Sequence, residues 1–180
     1  MPTDRRDFLR LTAAATGGLG LGVSPESLVA ASFRKPESPA RRAIRILILG
    51  GTGFIGPHQV RYALDRGHTV TLFNRGRTNT HLFPGVERLV GDRNGQLDAL
   101  AGRSWDVVID NSRSNPEWVR LAADFLKDSV GLYFYVSSRS AYSDTSIVPM
   151  TADAPTYTYE SAGVSRDSES LPYGLAKALS

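Results

Sequence analysis

The stretch LILGGTGFIGPHQV, residues 47–60, decides how the rest of the chain is read. Four glycines, Gly50, Gly51, Gly53 and Gly56, stand where an apolar run meets the start of an amphipathic pattern. Glycine weakens regular structure, so a cluster at this junction implies that something must come close to the backbone. The spacing Gly50-x-x-Gly53-x-x-Gly56, after a strand and opening a helix, suits a dinucleotide pyrophosphate. Such glycines allow a tight turn, let the backbone approach the phosphates, and let helix pack closely on strand. The helix N-terminus then offers free N–H groups and the positive end of its dipole. Gly50, Gly53, Phe54, Ile55 and Gly56 are the candidate phosphate-binding residues. The competing explanation is a turn whose glycines serve packing only.

Outward from this turn, five apolar runs alternate with helical patterns: 44–49, 69–74, 86–90, 105–110 and 132–137. Their continuous apolar character suits strands buried on both faces of a parallel sheet. Ile55, Val60, Ala63 and Leu64 share one helical face that ends at Gly67, with Pro57 in the first turn, where its missing N–H costs nothing. A second helix is expected from Pro116 through EWVRLAADFLKD, and a short one over 95–101. This alternation predicts an α/β fold, a Rossmann-type doubly wound parallel sheet, over residues 44–180.

The second strand runs into LFNRGRT, where an NAD site usually carries an acid for the ribose 2′-hydroxyl. Asn74 stands there instead, followed by Arg75 and Arg77, and a guanidinium suits a 2′-phosphate. NADP is therefore favoured over NAD, against the alternative that both arginines are simply solvated. After the third strand comes GDRNG. Asp92, with Arg93 beside it, is expected at the rim where adenine lies, and a helix N-cap role for Asp92 or Asn94 is the open alternative.

A second informative pair of segments is YVSSRSAY at the end of the fifth strand and YGLAK thirty-odd residues on. Tyr173 and Lys177 are four apart and so share a helix face. An ammonium near a phenol favours the phenolate. Ser138 can hold a substrate oxygen between its hydroxyl and Tyr173. With GGTGFIG, GDR, YVSSRSAY and YGLAK in this order, residues 44–180 resemble the extended short-chain dehydrogenase/reductases, the NAD-dependent epimerase/dehydratase family. The resemblance implies Tyr173 as acid/base, Lys177 as its partner and a ligand of the nicotinamide ribose, and Ser138 as the residue polarising the reacting oxygen. It implies hydride transfer on a sugar nucleotide or related hydroxyl or carbonyl small molecule, and a homodimer paired through helices like that at 116–128. The fourth strand departs from the family, ending VVIDNSRSN where His-x-Ala-Ala is more usual. Family members also continue well beyond a position equivalent to Ser180, so the Rossmann domain is expected to be incomplete, its substrate lobe missing, and these 180 residues inactive alone. The rival from another class is a nucleotide-binding module without catalysis.

Residues 1–31 read as a twin-arginine (Tat) export signal: Arg5-Arg6 before Phe8-Leu9-Arg10, a weakly hydrophobic Ala/Gly/Leu stretch, then Val29-Ala30-Ala31. Asp4 replaces the usual Ser or Thr of that pattern. Residues 32–43, rich in Pro, Ser and charge, read as a linker. The expected location is thus outside the cytoplasm, reached through the Tat machinery with the fold already formed. Residues 1–45 hold eight Arg/Lys against four Asp/Glu, so 46–180 carry thirteen against fourteen. A nucleic-acid-binding domain normally has its own basic excess, so no nucleic-acid partner is expected. No stretch after residue 31 is long and apolar enough to span a membrane. The chain has no cysteine, and His58, His68 and His81 lack metal-ligand spacing, so no metal is expected.

Overall fold

Strand β1 (Arg45–Leu49) is the centre of the sheet and alternates its apolar side chains between two cores. Ile46 and Ile48 face one side, and Leu47 and Leu49 the other. The computed structural model describes residues 42–113 and 115–180. The export segment 1–31 and all but the last two residues of the expected linker lie outside the described residues.

Five strands form one sheet in the order β3-β2-β1-β4-β5, every pairing parallel. They are β1, β2 (Thr69–Asn74), β3 (Glu87–Val90), β4 (Trp105–Asp110) and β5 (Val130–Tyr135). Helix α1 (Gly56–Asp65) connects β1 to β2, and Val60 and Ala63 pack with Ile46, Ile48, Val70 and Leu72. Helix α2 (Pro116–Leu126) connects β4 to β5 and buries Ala122 and Leu126 against Leu47, Leu49, Phe73 and Val108. Asn115 caps α2 by accepting from the Glu117 N–H at 3.0 Å, and Pro116 follows where a donor is not needed. A last helix, α3 (Tyr173–Leu179), closes the described chain. This is the Rossmann-type doubly wound sheet expected from the alternating pattern.

Some boundaries differ from the sequence expectation. β5 starts and stops two residues early, because Val130 pairs with Trp105 and Tyr135 with Asp110, the last residue of β4. Beyond that pairing the chain leaves the ladder, which turns Ser137 and Ser138 toward the cleft. Over 95–101 only a single 3-10 turn forms, Asp98–Leu100. Neither Asp92 nor Asn94 caps it, since Leu97 holds that position. Ile55, at the N-cap of α1, and Leu64 on the helix remain exposed, because the sheet is met by Val60 and Ala63.

Candidate active site

The carboxyl ends of β1, β2, β4 and β5 and the start of α1 enclose a cleft of about 800 Å³. Gly50, Gly53, Phe54, Ile55, Gly56, Asn74, Arg75, Asp92, Arg93, Ser138, Tyr173 and Lys177 all line it. A crevice at the point where strand order reverses is where open parallel sheets take their ligands.

The glycines of the turn do different jobs. Gly50 has φ +86, and a Cβ there would meet Arg93 Nη2 at 3.0 Å. A Cβ on Gly56 would lie 2.5–2.6 Å from three backbone atoms of Gly51, so α1 packs on the turn only without a side chain. A Cβ on Gly53 would meet nothing nearer than the Gly50 carbonyl oxygen at 3.7 Å, so Gly53 leaves open space in the cleft. No side chain caps α1. Phe54 is 97% exposed, so what it offers a phosphate is its backbone N–H rather than its ring.

At the end of β2, Asn74 Oδ1 accepts from the Gly76 N–H at 2.8 Å, while Nδ2 is buried without a partner. Arg75 is exposed, with Nη1 4.0 Å from Asp92 Oδ2. The other Asp92 oxygen accepts from the Asn94 N–H at 3.1 Å, shaping a turn closed by the Asp92–Gln96 bridge.

At the opposite end, Ser138 Oγ accepts from the Ser140 N–H at 3.1 Å, which leaves its own proton free to donate. Gly174, next to Tyr173, packs so closely on the Ser140 carbonyl that a Cβ there would clash. This contact ties α3 to the segment that carries Ser138. Tyr173 is half exposed. The Lys177 ammonium is buried and donates to the carbonyls of Ser112 at 2.5 Å and Val136 at 2.8 Å. It lies 4.5 Å from the Tyr135 ring centroid and 6.0 Å from that of Tyr173. Lys177 therefore clamps α3 to the ends of β4 and β5 and presents its charge beside both phenols.

Sequence reasoning missed the network that holds Arg93, a residue lining the cleft. Asp110, fully buried at the end of β4, accepts from Arg93 Nη1, from Tyr133 OH at 2.6 Å and from the Ser112 N–H at 2.8 Å. Burial and then the Asp110 carboxylate push the Tyr133 hydroxyl far above the usual phenol range, so it stays a donor. Removing one member of a buried ion pair typically costs about 3–5 kcal/mol, since the other charge is left uncompensated. The polar run Asp110-Asn-Ser-Arg113 closing an apolar strand was the visible signal. Asn111 Oδ1 and Ser112 Oγ, which line the cleft, are buried without partners. Buried polar atoms of this kind ordinarily find a partner. The Ser112 hydroxyl can donate to a phosphate oxygen, whereas Asn111 Oδ1 can only accept, as from a ribose hydroxyl; with the open space at Gly53 the pair fits a polar ligand such as a dinucleotide. Among the described residues no cluster could hold a metal ion, and no helix is long and apolar enough to cross a membrane.

Comparison with known proteins bears on the fold. Residues 46–128 match the model of the NAD dependent epimerase/dehydratase family. "Chloroplast stem-loop binding protein of 41 kDa b" from Arabidopsis thaliana is 32% identical over 121 residues, 58% of this chain and 32% of that protein. A UDP-galactose 4-epimerase structure superposes with a TM-score of 0.60 at 22% identity, covering 75% of this chain and 48% of that one. The Bordetella bronchiseptica enzyme WbmG in complex with NAD superposes at 0.58 and 20% identity, covering 78% and 49%. At these identities the two superpositions describe the fold. The chain spans about a third of the length of the Arabidopsis relative and about half of each solved structure.

Proposed function

We propose that the chain is the nucleotide-binding part of an oxidoreductase or epimerase of the NAD-dependent epimerase/dehydratase family. Its cofactor is NADP or NAD, with NADP preferred, and its substrate a sugar nucleotide or related hydroxyl or carbonyl compound. The observation that carries this reading is that Ser138, Tyr173 and Lys177 line the same cleft as the glycine turn. The nicotinamide supplies the hydride donor or acceptor. Ser138 donates a hydrogen bond to the reacting oxygen and keeps its proton, Tyr173 gives or takes the one proton transferred there, and Lys177 holds α3 in place with its charge near the Tyr173 ring. The preference for NADP rests on Arg75 and Arg77 and on the unpaired Asn74 Nδ2 at the cleft's adenine end.

Fluorescence titration with NADPH and NADH tests the reading, and absence of saturable binding by either overturns it. Arg75→Ala is expected to weaken NADPH about tenfold, a typical loss for a charge-assisted contact, and NADH little. Equal losses would remove the 2′-phosphate assignment.

The Arabidopsis relative, a stem-loop binding protein by name, brings a second reading, binding of a nucleic-acid stem-loop. Against it stand thirteen Arg/Lys to fourteen Asp/Glu over 46–180, with no basic excess to meet phosphate backbones. Stem-loop RNA retained by protein that fails to bind NADPH would favour it.

Export through the Tat route is part of the proposal and rests on Arg5-Arg6 ahead of Phe8-Leu9. Exchanging both arginines for lysine should hold a reporter fusion in the cytoplasm. Continued export of the double-lysine form removes the route.

A further inference from the structure

The fourth strand's departure from the family pattern at Asp110 is where the structure places a buried charge network facing the cleft. Arg93 leaves the chain after β3 and reaches across to Asp110 at the end of β4. Only Nη1 is spent on that carboxylate. Nη2 lies against Gly50, 3.0 Å from where a Cβ would stand, and Gly50 is the first glycine of the phosphate turn. Among the described residues, neither Nη2 nor Nε has a protein acceptor. The side chain is 12% exposed and lines the cleft, so a ligand held there comes against it. A guanidinium with one edge anchored and the other free is suited to a planar, doubly bonded contact with phosphate oxygens.

Asp110 has no freedom to wander. Three donors from three different places, Arg93, Tyr133 and the Ser112 backbone, meet its two oxygens. Tyr133 lies on β5, so the guanidinium is braced from the far side of β4. Resting on the nucleotide reading above, we propose that Arg93 contacts the diphosphate of the bound nucleotide, and that Asp110 and Tyr133 are positioning residues that hold its guanidinium beside the glycine turn. The absence of a side chain at Gly50 then serves two ends, the left-handed turn and room for the guanidinium.

The test uses ADP and adenosine as probes, titrated against the 180-residue chain. The double variant Arg93→Gln/Asp110→Asn removes both charges together and leaves no lone buried ion. It is expected to lose ADP affinity about tenfold or more while adenosine affinity stays as in the wild type. Tyr133→Phe alone keeps the ring and the charges. It is expected to weaken ADP about two- to threefold, as for one lost positioning bond, and to add nothing in the double-variant background. A merely structural Tyr133 would weaken both probes, or act equally in both backgrounds, and either result overturns the positioning role. Should the double variant fail to fold, the same comparison between wild type and Tyr133→Phe with the two probes decides. ADP binding unchanged by these variants but abolished by Gly53→Val leaves the nucleotide reading standing and removes this proposal. A wild-type chain that binds neither probe removes both.

Discussion

Tyr173→Phe is expected to lower turnover by roughly two to four orders of magnitude in a catalytically active form of the protein, the usual range for losing a positioned proton donor. NADPH affinity should remain within about twofold, because the phenol acts on the substrate oxygen and not on the phosphates. The separation follows from the cleft's layout: the glycine turn lies at the start of α1, whereas Tyr173 begins α3 beside the segment that carries Ser138. Phe keeps the ring beside the Lys177 ammonium and the close packing of Gly174 on Ser140, so the fold should not register the change. Steady-state kinetics paired with an NADPH titration reads both quantities. Wild-type turnover in the variant would end the hydride-transfer reading and leave a nucleotide-binding module without chemistry.

The second large effect separates two glycines that look alike in the sequence. Gly56→Ala adds one methyl that would stand 2.5–2.6 Å from the Cα, C and O atoms of Gly51. Gly51 cannot retreat, since its own missing Cβ would already meet Leu72 Cδ2 at 2.5 Å. Overpacking against side chains costs typically about 1–3 kcal/mol, and against the Gly51 backbone the loss should reach or exceed the top of that range. Urea unfolding is expected to show it, and a wild-type midpoint would mean that α1 does not pack so tightly on the turn. Gly53→Val is the counterpart. Its backbone needs no positive φ and its side chain would enter open space, so the midpoint should hold. That space is where the phosphates are expected, so NADPH affinity should fall about a hundredfold, as for losing several contacts to a charged group. Undiminished affinity would move the phosphates elsewhere.

What the sequence determined by itself was everything that depends on neighbours along the chain. The apolar runs of β1, β2 and β4 are legible because strands covered on both faces leave no polar alternation to confuse them. The turn at 50–56 is legible because strand, glycine spacing and helix start are contiguous. The start of α2 is marked by Asn115-Pro116, a cap and a residue that needs no donor. Tertiary structure decided the rest, because those features join residues far apart. Asp110 meets Arg93 across 17 positions and Tyr133 across 23, so nothing local marks it as the anchor of a cleft residue. The end of β5 was set by where its partner β4 stops, and the exposure of Ile55 and Leu64 by which part of α1 the sheet reaches. Lys177 was recognisable as a site residue from its spacing to Tyr173. Its hydrogen bonds go instead to the carbonyls of Val136 and Ser112, 41 and 65 residues away, because only the folded sheet brings two strand ends under one buried ammonium.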